Sequence, residues 1–256
     1  MRVSLSYDGI TIIEPIVELT PNDPRDGIRL LTEMIEKQLA DRQCESLCGC
    51  VPGVMENDIL VSSPHLPNWK GLNIKEELSK HFGCDPIIIV HDASLACLGE
   101  AVYGAGKGYK AVAYMTVSTG IGGGYVVDRK IEKHKFNTEI GHQIIDMENN
   151  LTLEGIASGT AIKEKYGCIL SELTGEERKE AIQKISHALA VGIHNTIDHW
   201  SPDIIILGGS VILNSNDLFE GVIEELGNIA DVYPAMPKIV RASLGDSSAL
   251  YGALCI

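Results

Sequence analysis

Two short runs constrain this chain more than anything else in it: PIIIV at 86–90 and DIIIL at 203–207. Unbroken β-branched residues suit a pleated strand and not a helix. With apolar groups on both alternate sets, each strand is expected to be covered on both faces, as in a parallel sheet flanked by helices. Both runs end in a break, His91-Asp92 after the first and Gly208-Gly209 after the second.

The rest of the chain alternates in the same α/β manner. RVSLS (2–6) and TIIEPIVEL (11–19) read as strands joined by Tyr7-Asp8-Gly9, because Asp-Gly favours positive φ. Residues 25–40 place Ile28, Leu31, Ile35 and Leu39 on one helical face, and 73–82 reads as a second helix. ASLACLGEAVYGA begins a third. A second series opens with the strand AVAYMTVS (111–118), a turn TGIGGG and the strand YVVD. Residues 152–166 are expected to be helical. A capping box at Thr174…Glu177 then starts a long helix reaching about His199, with Ile182, Ile185, Leu189, Ile193 and Ile197 as its buried stripe. A helix near 216–226, a strand near 238–242 and a terminal helix from 246 follow. GAGKG (104–108) is the best boundary. It gives an N-terminal α/β domain at 1–108, with 246–256 packing back on it, and a C-terminal α/β domain at 109–245.

Composition excludes several classes of function. The 256 residues are 45% hydrophobic, enough for a core. No apolar run reaches the ~18–20 residues of a membrane helix. A net charge of −14 offers no basic face for nucleic acid. The same charge requires backbone amides or a metal to hold a phosphate. Seven cysteines without framework spacing, and no export-signal pattern, point to the reducing cytoplasm. Cys44, Cys48 and Cys50 (CESLCGC) lack a fourth ligand at metal-site spacing and are expected to be buried thiols.

Four places carry chemistry. Asp92 stands at the carboxyl end of a strand, where open α/β sheets bind ligands. It can serve as a general base, cap the following helix, or do both. Ser118-Thr119-Gly120-Ile121-Gly122-Gly123-Gly124 can offer amides and hydroxyls to an anion, or be a plain glycine-rich hairpin. No Gly-Lys-Ser/Thr follows, so it is not a P-loop. Gly208-Gly209 leaves room for a flat ligand such as an adenine, or makes a tight strand-to-helix turn. Glu139, His142 and Glu154 fall within sixteen residues. They suit the hydroxyls of a polyol better than a zinc ion, which more often shows closer histidine pairs. Exposed polar groups with no common task are the alternative.

In this order, VPGV (51–54), PHLPNWKG (64–71), VHDASLACLGEAVYGAGKGYK (90–110), TVSTGIGGGYVVD (116–128), EIGH (139–142), LEGIASGTAI (153–162), IILGGSV (205–211) and LGDSSALYGA (244–253) resemble the ROK family of sugar kinases, repressors and uncharacterised reading frames. The resemblance implies an actin-like ATPase (ribonuclease H-like) fold, two α/β domains with a cleft between them. It implies phosphoryl transfer from ATP, with magnesium, to a hydroxyl of a hexose or N-acetylhexosamine, and a homodimer. Asp92 matches the family's catalytic base. Glu139, His142 and Glu154 match its sugar-binding residues, with Gly53, His65, Asn68 and His91 near them. Ser118, Thr119, Gly120 and Gly122 correspond to a phosphate-binding turn, Gly208 and Gly209 to the adenosine side.

Three departures shape the expectation. QIIDMENNLT (143–152) has no cysteine where the family usually holds zinc, so no zinc is expected and hydrogen bonds must fold that loop. His65 and His91 stand where asparagine is usual, which opens the identity of the sugar. The opening DxGGT strand, with its phosphate turn, has no counterpart before MRVSLSYDG. The chain is then either a shortened form of a longer product or a protein with one phosphate grip fewer. A catalytically silent sugar-binding or regulatory protein is the alternative to a kinase. A repressor is disfavoured by the acidic charge.

Overall fold

The computed structural model describes residues 1–63, 65–132, 137–229 and 235–256. Pro64 of the PHLPNWKG stretch lies outside them. The chain opens with β1 (Arg2–Val3) and β2 (Ile16–Val17), an antiparallel pair closed by an Asp8 turn that accepts the Ile10 and Thr11 amides. α1 (Pro24–Leu39) starts at Asp23, whose carboxylate accepts the Arg25 N–H, with proline in the first turn. Ile28, Ile35 and Leu39 are buried in the expected stripe.

Then come β3 (Leu47–Val51), the pair β4 (Val54–Glu56) and β5 (Ile59–Ser62), α2 (Ile74–Ser79) and β6 (Ile87–His91). β6 runs parallel to β3, with Leu47 opposite Ile87 and Val51 opposite His91. PIIIV is thus a parallel strand, but its expected burial on both faces is not reached: Ile88, Ile89 and Val90 are half-buried. The reason is that β3 and β6 form a two-stranded sheet. The expectation of buried thiols also fails here. Cys44 and Cys48 are half-buried and Cys50 is exposed, because the edge of β3 away from β6 carries no strand among the described residues.

α3 (Asp92–Val102) follows β6 directly. β7 (Ala111–Val117), β8 (Ile121–Val127) and β9 (Lys130–Ile131) come next, then the hairpin β10 (Ile144–Asp146) and β11 (Leu151–Thr152). That hairpin is the cysteine-free loop, folded by Asn149 donating its backbone and side-chain N–H groups to Asp146. α4 (Leu153–Ala157) and α5 (Gly159–Tyr166) replace the single helix expected at 152–166; Ser158 separates them and accepts the Ala161 N–H to cap the second. α6 (Gly175–Trp200) is the long helix. Its capping box does not form: Thr174 makes no side-chain cap bond, and Gly175 turns to φ 61°. β12 (Ile204–Gly208), α7 (Ser210–Leu213), α8 (Asn216–Ile229), β13 (Lys238–Arg241) and α9 (Ser248–Ala253) complete the chain.

The main sheet has the order β13-β12-β7-β8-β9, with β12 parallel to both neighbours. DIIIL meets its expectation here, since every residue of β12 is buried. Ile205 and Leu207 pack with Ile185, Leu189 and Ile193 of α6. Ile204 and Ile206 pack with Cys97, Leu98 and Ala101 of α3 on the other face.

The terminal α9 packs back on α3 through Gly99 and Gly252, where a methyl on either would strike the other helix's backbone. Beside this contact lies Glu100, with no exposed surface. Its Oε1 accepts the Leu244 N–H (2.8 Å) and the Ser248 hydroxyl (2.9 Å). Its Oε2 accepts the Ala105 N–H (2.9 Å), the Ser243 N–H (3.2 Å) and the Ser243 hydroxyl (3.1 Å). One carboxylate therefore ties α3, the 104–108 turn and the loop after β13 together. Each buried donor stripped of its partner costs ~1–3 kcal/mol, so Glu100→Leu should lower unfolding free energy by more than about 3 kcal/mol in urea titration, with Glu100→Gln losing less.

Candidate active site

The glycine run expected as a turn is the first half of β8, with Thr116 opposite Gly122 and Tyr114 opposite Gly124. Glycine has no strand propensity, so the reason lies in its neighbours. A methyl on Gly122 would sit 3.3 Å from Ala93 Cβ, and one on Gly124 2.6 Å from the Ala93 carbonyl oxygen. On the other face, a methyl on Gly123 would meet Ile140 at 2.6 Å. The alternation lets α3 press on one face and the EIGH segment on the other. Thr138 donates its hydroxyl to the Gly123 carbonyl (2.5 Å), and Asn137 donates to the carbonyl of Gly53 (2.9 Å). Gly141 lies against the Ile121 backbone.

The turn itself is Ser118-Thr119-Gly120. The Ser118 N–H donates to the Gly120 carbonyl (2.9 Å). The start of α5 holds the turn from below: the Gly159 N–H donates to Ser118 O (2.7 Å), while the Thr160 N–H (3.1 Å) and hydroxyl (2.8 Å) donate to Thr119 O. The Ile121 N–H donates to Glu154 Oε2 at 2.6 Å. The amides of Ser118 and Ile121 are thus committed within the protein. Gly208 lies under the Tyr114 phenol, and Gly209, at φ 86°, against the Val117 backbone. Both glycine turns therefore meet at the end of β7.

A methyl on Gly120 would lie 2.6 Å from Glu154 Oε2 and 3.0 Å from His65 Nε2. Side chains from the loop after β5 and from the first turn of α4 thus share one corner with the turn. Thr152 caps α4 by accepting the Gly155 N–H, and Glu154 in that first turn is favoured by the helix dipole.

Asp92 is the first residue of α3, so His91 and not Asp92 occupies the cap position. Asp92 Oδ1 accepts the Ala93 N–H at 2.8 Å, and its side chain is 43% exposed. His91 is buried at 8% exposure. Its Nε2 lies 3.3 Å from Asp92 Oδ1 and its Nδ1 3.3 Å from Ser94 Oγ. Cys50 is close enough to feel Asp92: burial first, then the Asp92 charge, push its thiol up to about 12, although part of its surface reaches solvent. Glu139 is half-buried, and its Oε1 is buried without a hydrogen-bond partner among the described residues. His142 and Asn68 stand exposed, with no side-chain bond to the cluster among the described residues.

Packing therefore gathers Asp92, His91, Gly122, Gly120, Glu154 and His65 around the start of β8. Sequence reasoning missed Asn137, Thr138 and Thr160, which hold the turn and the EIGH segment, and gave them no signal. It also missed Glu100, although one charge in an otherwise apolar helix was a signal that buried partners are needed. A groove of about 810 Å³ between α1 and α2, lined by Arg25, Ile28, Thr32 and Leu72 among others, shares none of the site residues. No group of three or more His, Cys, Asp or Glu among the described residues is placed to hold a metal, and no described helix is long and apolar enough to cross a membrane. Glu154→Ala should cost ~1–3 kcal/mol in urea unfolding by stranding the Ile121 N–H, and Glu154→Gln less.

A family model described as ROK family matches residues 11–256. The xylose repressor of Bacillus subtilis (strain 168) is 24% identical, over 94% of this chain and 71% of its own length. The crystal structure of a ROK hexokinase from Thermus thermophilus superposes with a TM-score of 0.85 at 25% identity, over 97% of this chain and 92% of that one. A ROK family glucokinase from Streptomyces griseus, solved in complex with glucose and AMPPNP, gives a TM-score of 0.84 at 18% identity, covering 99% of this chain and 94% of that one.

Proposed function

Because the chain belongs to the ROK family and has the actin-like ATPase fold of that family's sugar kinases, we propose that it transfers phosphate from ATP to a hydroxyl of a hexose or N-acetylhexosamine. The observation that carries this reading is Glu139 Oε1, buried with no donor among the described residues. A buried acceptor without a donor is costly, and a neutral polyol supplies several donors without adding charge. Glu154 and His65 at the Gly120 corner add an acceptor and an imidazole that suit the same ligand. His142, Asn68 and Gly53 complete the proposed sugar side.

In the reaction, the sugar oxygen gives its proton to Asp92 and forms a bond to the γ-phosphorus, while the bond from that phosphorus to the β-bridging oxygen breaks and ADP leaves. Such transfer depends on positioning and charge neutralisation more than on covalent chemistry by the protein. Asp92 suits the base role because Oδ1 is held by the Ala93 N–H while the side chain stays half exposed. The Ser118 and Thr119 hydroxyls and the Thr119 and Gly120 amides would hold phosphate, with Gly122 keeping α3 close. Gly208 and Gly209 leave space for adenosine. Magnesium would enter on the nucleotide's phosphates, as it commonly does with only one or two carboxylates from the protein. The units 1–108 and 109–245 would close over the sugar and exclude water.

A sugar-binding protein without catalysis is the second reading. The commitment of the Ser118 and Ile121 amides inside the protein favours it, since it leaves fewer donors for phosphate.

ATP-dependent phosphorylation of a panel of hexoses, N-acetylhexosamines and fructose tests both. Turnover is expected, falling ~10²–10⁴-fold in Asp92→Asn. Sugar binding by calorimetry without turnover would replace the kinase with the binding protein. Gly120→Ala should weaken sugar binding at least about tenfold, with little change in melting temperature, because its methyl crowds Glu154 and His65.

A further inference from the structure

Resting on the reading of Asp92 as the base, we propose that His91 is its positioning residue: the ring donates Nε2–H to Asp92 Oδ1 and leaves Oδ2 as the oxygen that takes the substrate proton. His91 ends β6, paired with Val51 of β3, and caps α3, so its backbone is held on both sides. At 8% exposure its ring is packed into the protein and turned to neighbours on its own chain. Those neighbours are Ser94 Oγ, 3.3 Å from Nδ1, and Asp92 Oδ1, 3.3 Å from Nε2. A serine hydroxyl donating to Nδ1 leaves the ring proton on Nε2, the tautomer that faces Asp92. With the Ala93 N–H at 2.8 Å, Oδ1 then has two donors, and the carboxylate plane is set. The Ser94 separation is long for a hydrogen bond, and the Nε2–Oδ1 pair is a close approach and not yet a formed bond; both fit catalytic geometry that tightens when substrate binds.

Ionisable groups from other elements stand around this pair: Cys50 of β3, Tyr114 of β7, and Glu154 and His65 at the Gly120 corner. Cys50 of β3, although exposed as a residue, has its thiol pushed up toward the neutral form by burial first and by Asp92 next. Tyr114, on β7, has its phenol raised by burial first and by Glu100 next, so it too is neutral. β8 contributes glycines at the contact with the first turn of α3. Glu100 lies two turns along α3, its oxygens occupied by the loop after β13 and the 104–108 turn. A donor on a carboxylate favours the charged form. A second donor also fixes which carboxylate oxygen faces the substrate, so removing it should lower kcat without loosening the sugar.

The test compares kcat and sugar KM of the wild type, His91→Leu and His91→Asn, alongside ¹⁵N spectra of the histidine rings in the wild type and in Asp92→Asn. His91→Leu should lower kcat about tenfold, with sugar KM little changed. His91→Asn, which keeps an N–H donor, should restore most of kcat. The spectra should show the Nε2–H tautomer, with the Nε2 signal moving in Asp92→Asn. An Nδ1–H tautomer, or an Nε2 signal indifferent to Asp92→Asn, overturns the proposal. So does a His91→Leu variant that raises sugar KM and leaves kcat in place, which would make His91 a substrate contact. If the wild type phosphorylates no sugar, the kinase reading fails by itself. The ring spectra then still decide the pairing of His91 with Asp92.

Discussion

The arrangement of this molecule depends on how closely two segments can approach β8. Adjacent strand residues point to opposite faces. Gly122 and Gly124 therefore open one face to α3 while Gly123 opens the other to Ile140. A side chain on the first face would push Asp92 away from the Ser118–Gly120 turn. One on the second face would displace Glu139. Close packing tolerates neither change without moving backbone, since interiors contain few voids larger than a water molecule. The candidate base, the turn and the polar corner at Gly120 are thus positioned by three absent side chains.

α3 is fixed at both ends. Its first turn lies on β8, and its last carries Glu100, whose five donors come from the 104–108 turn, the loop before α9 and the first residue of α9. The helix is otherwise apolar on nearly every side, and the main sheet, α9 and β6 all contact it. It links the two-stranded β3–β6 pair to the five-stranded sheet, and Asp92 sits at the joint. A base placed there keeps its orientation only if both contacts persist.

The sequence was informative wherever pattern is local. β12 and β6 were legible from β-branched runs, α6 from its isoleucine stripe, and Asp92 from its place at a strand end. The same patterns misled where a neighbour decides. Both runs read alike, yet β12 is buried throughout while the middle of β6 is half-buried, because one has strands on both sides and the other has one. IGGG read as a turn because glycine favours turns; it is a strand because of what packs on it. His91 read as a substrate contact, and no local pattern showed that its ring would lie between Ser94 and Asp92.

By itself, the sequence determined the order of strands and helices, the glycines that permit tight turns and the residue types able to handle protons or hydroxyls. Those properties follow from side-chain branching, periodicity and ionisable groups, all set within a few residues. Tertiary structure alone decided which donors meet which acceptors. Glu154 meets the amide of Ile121, 33 positions away, and Glu100 meets Leu244, 144 positions away. Only packing brings such groups within the ~3 Å at which a hydrogen bond forms, so the pairings are written in the fold and not in any local stretch of the chain.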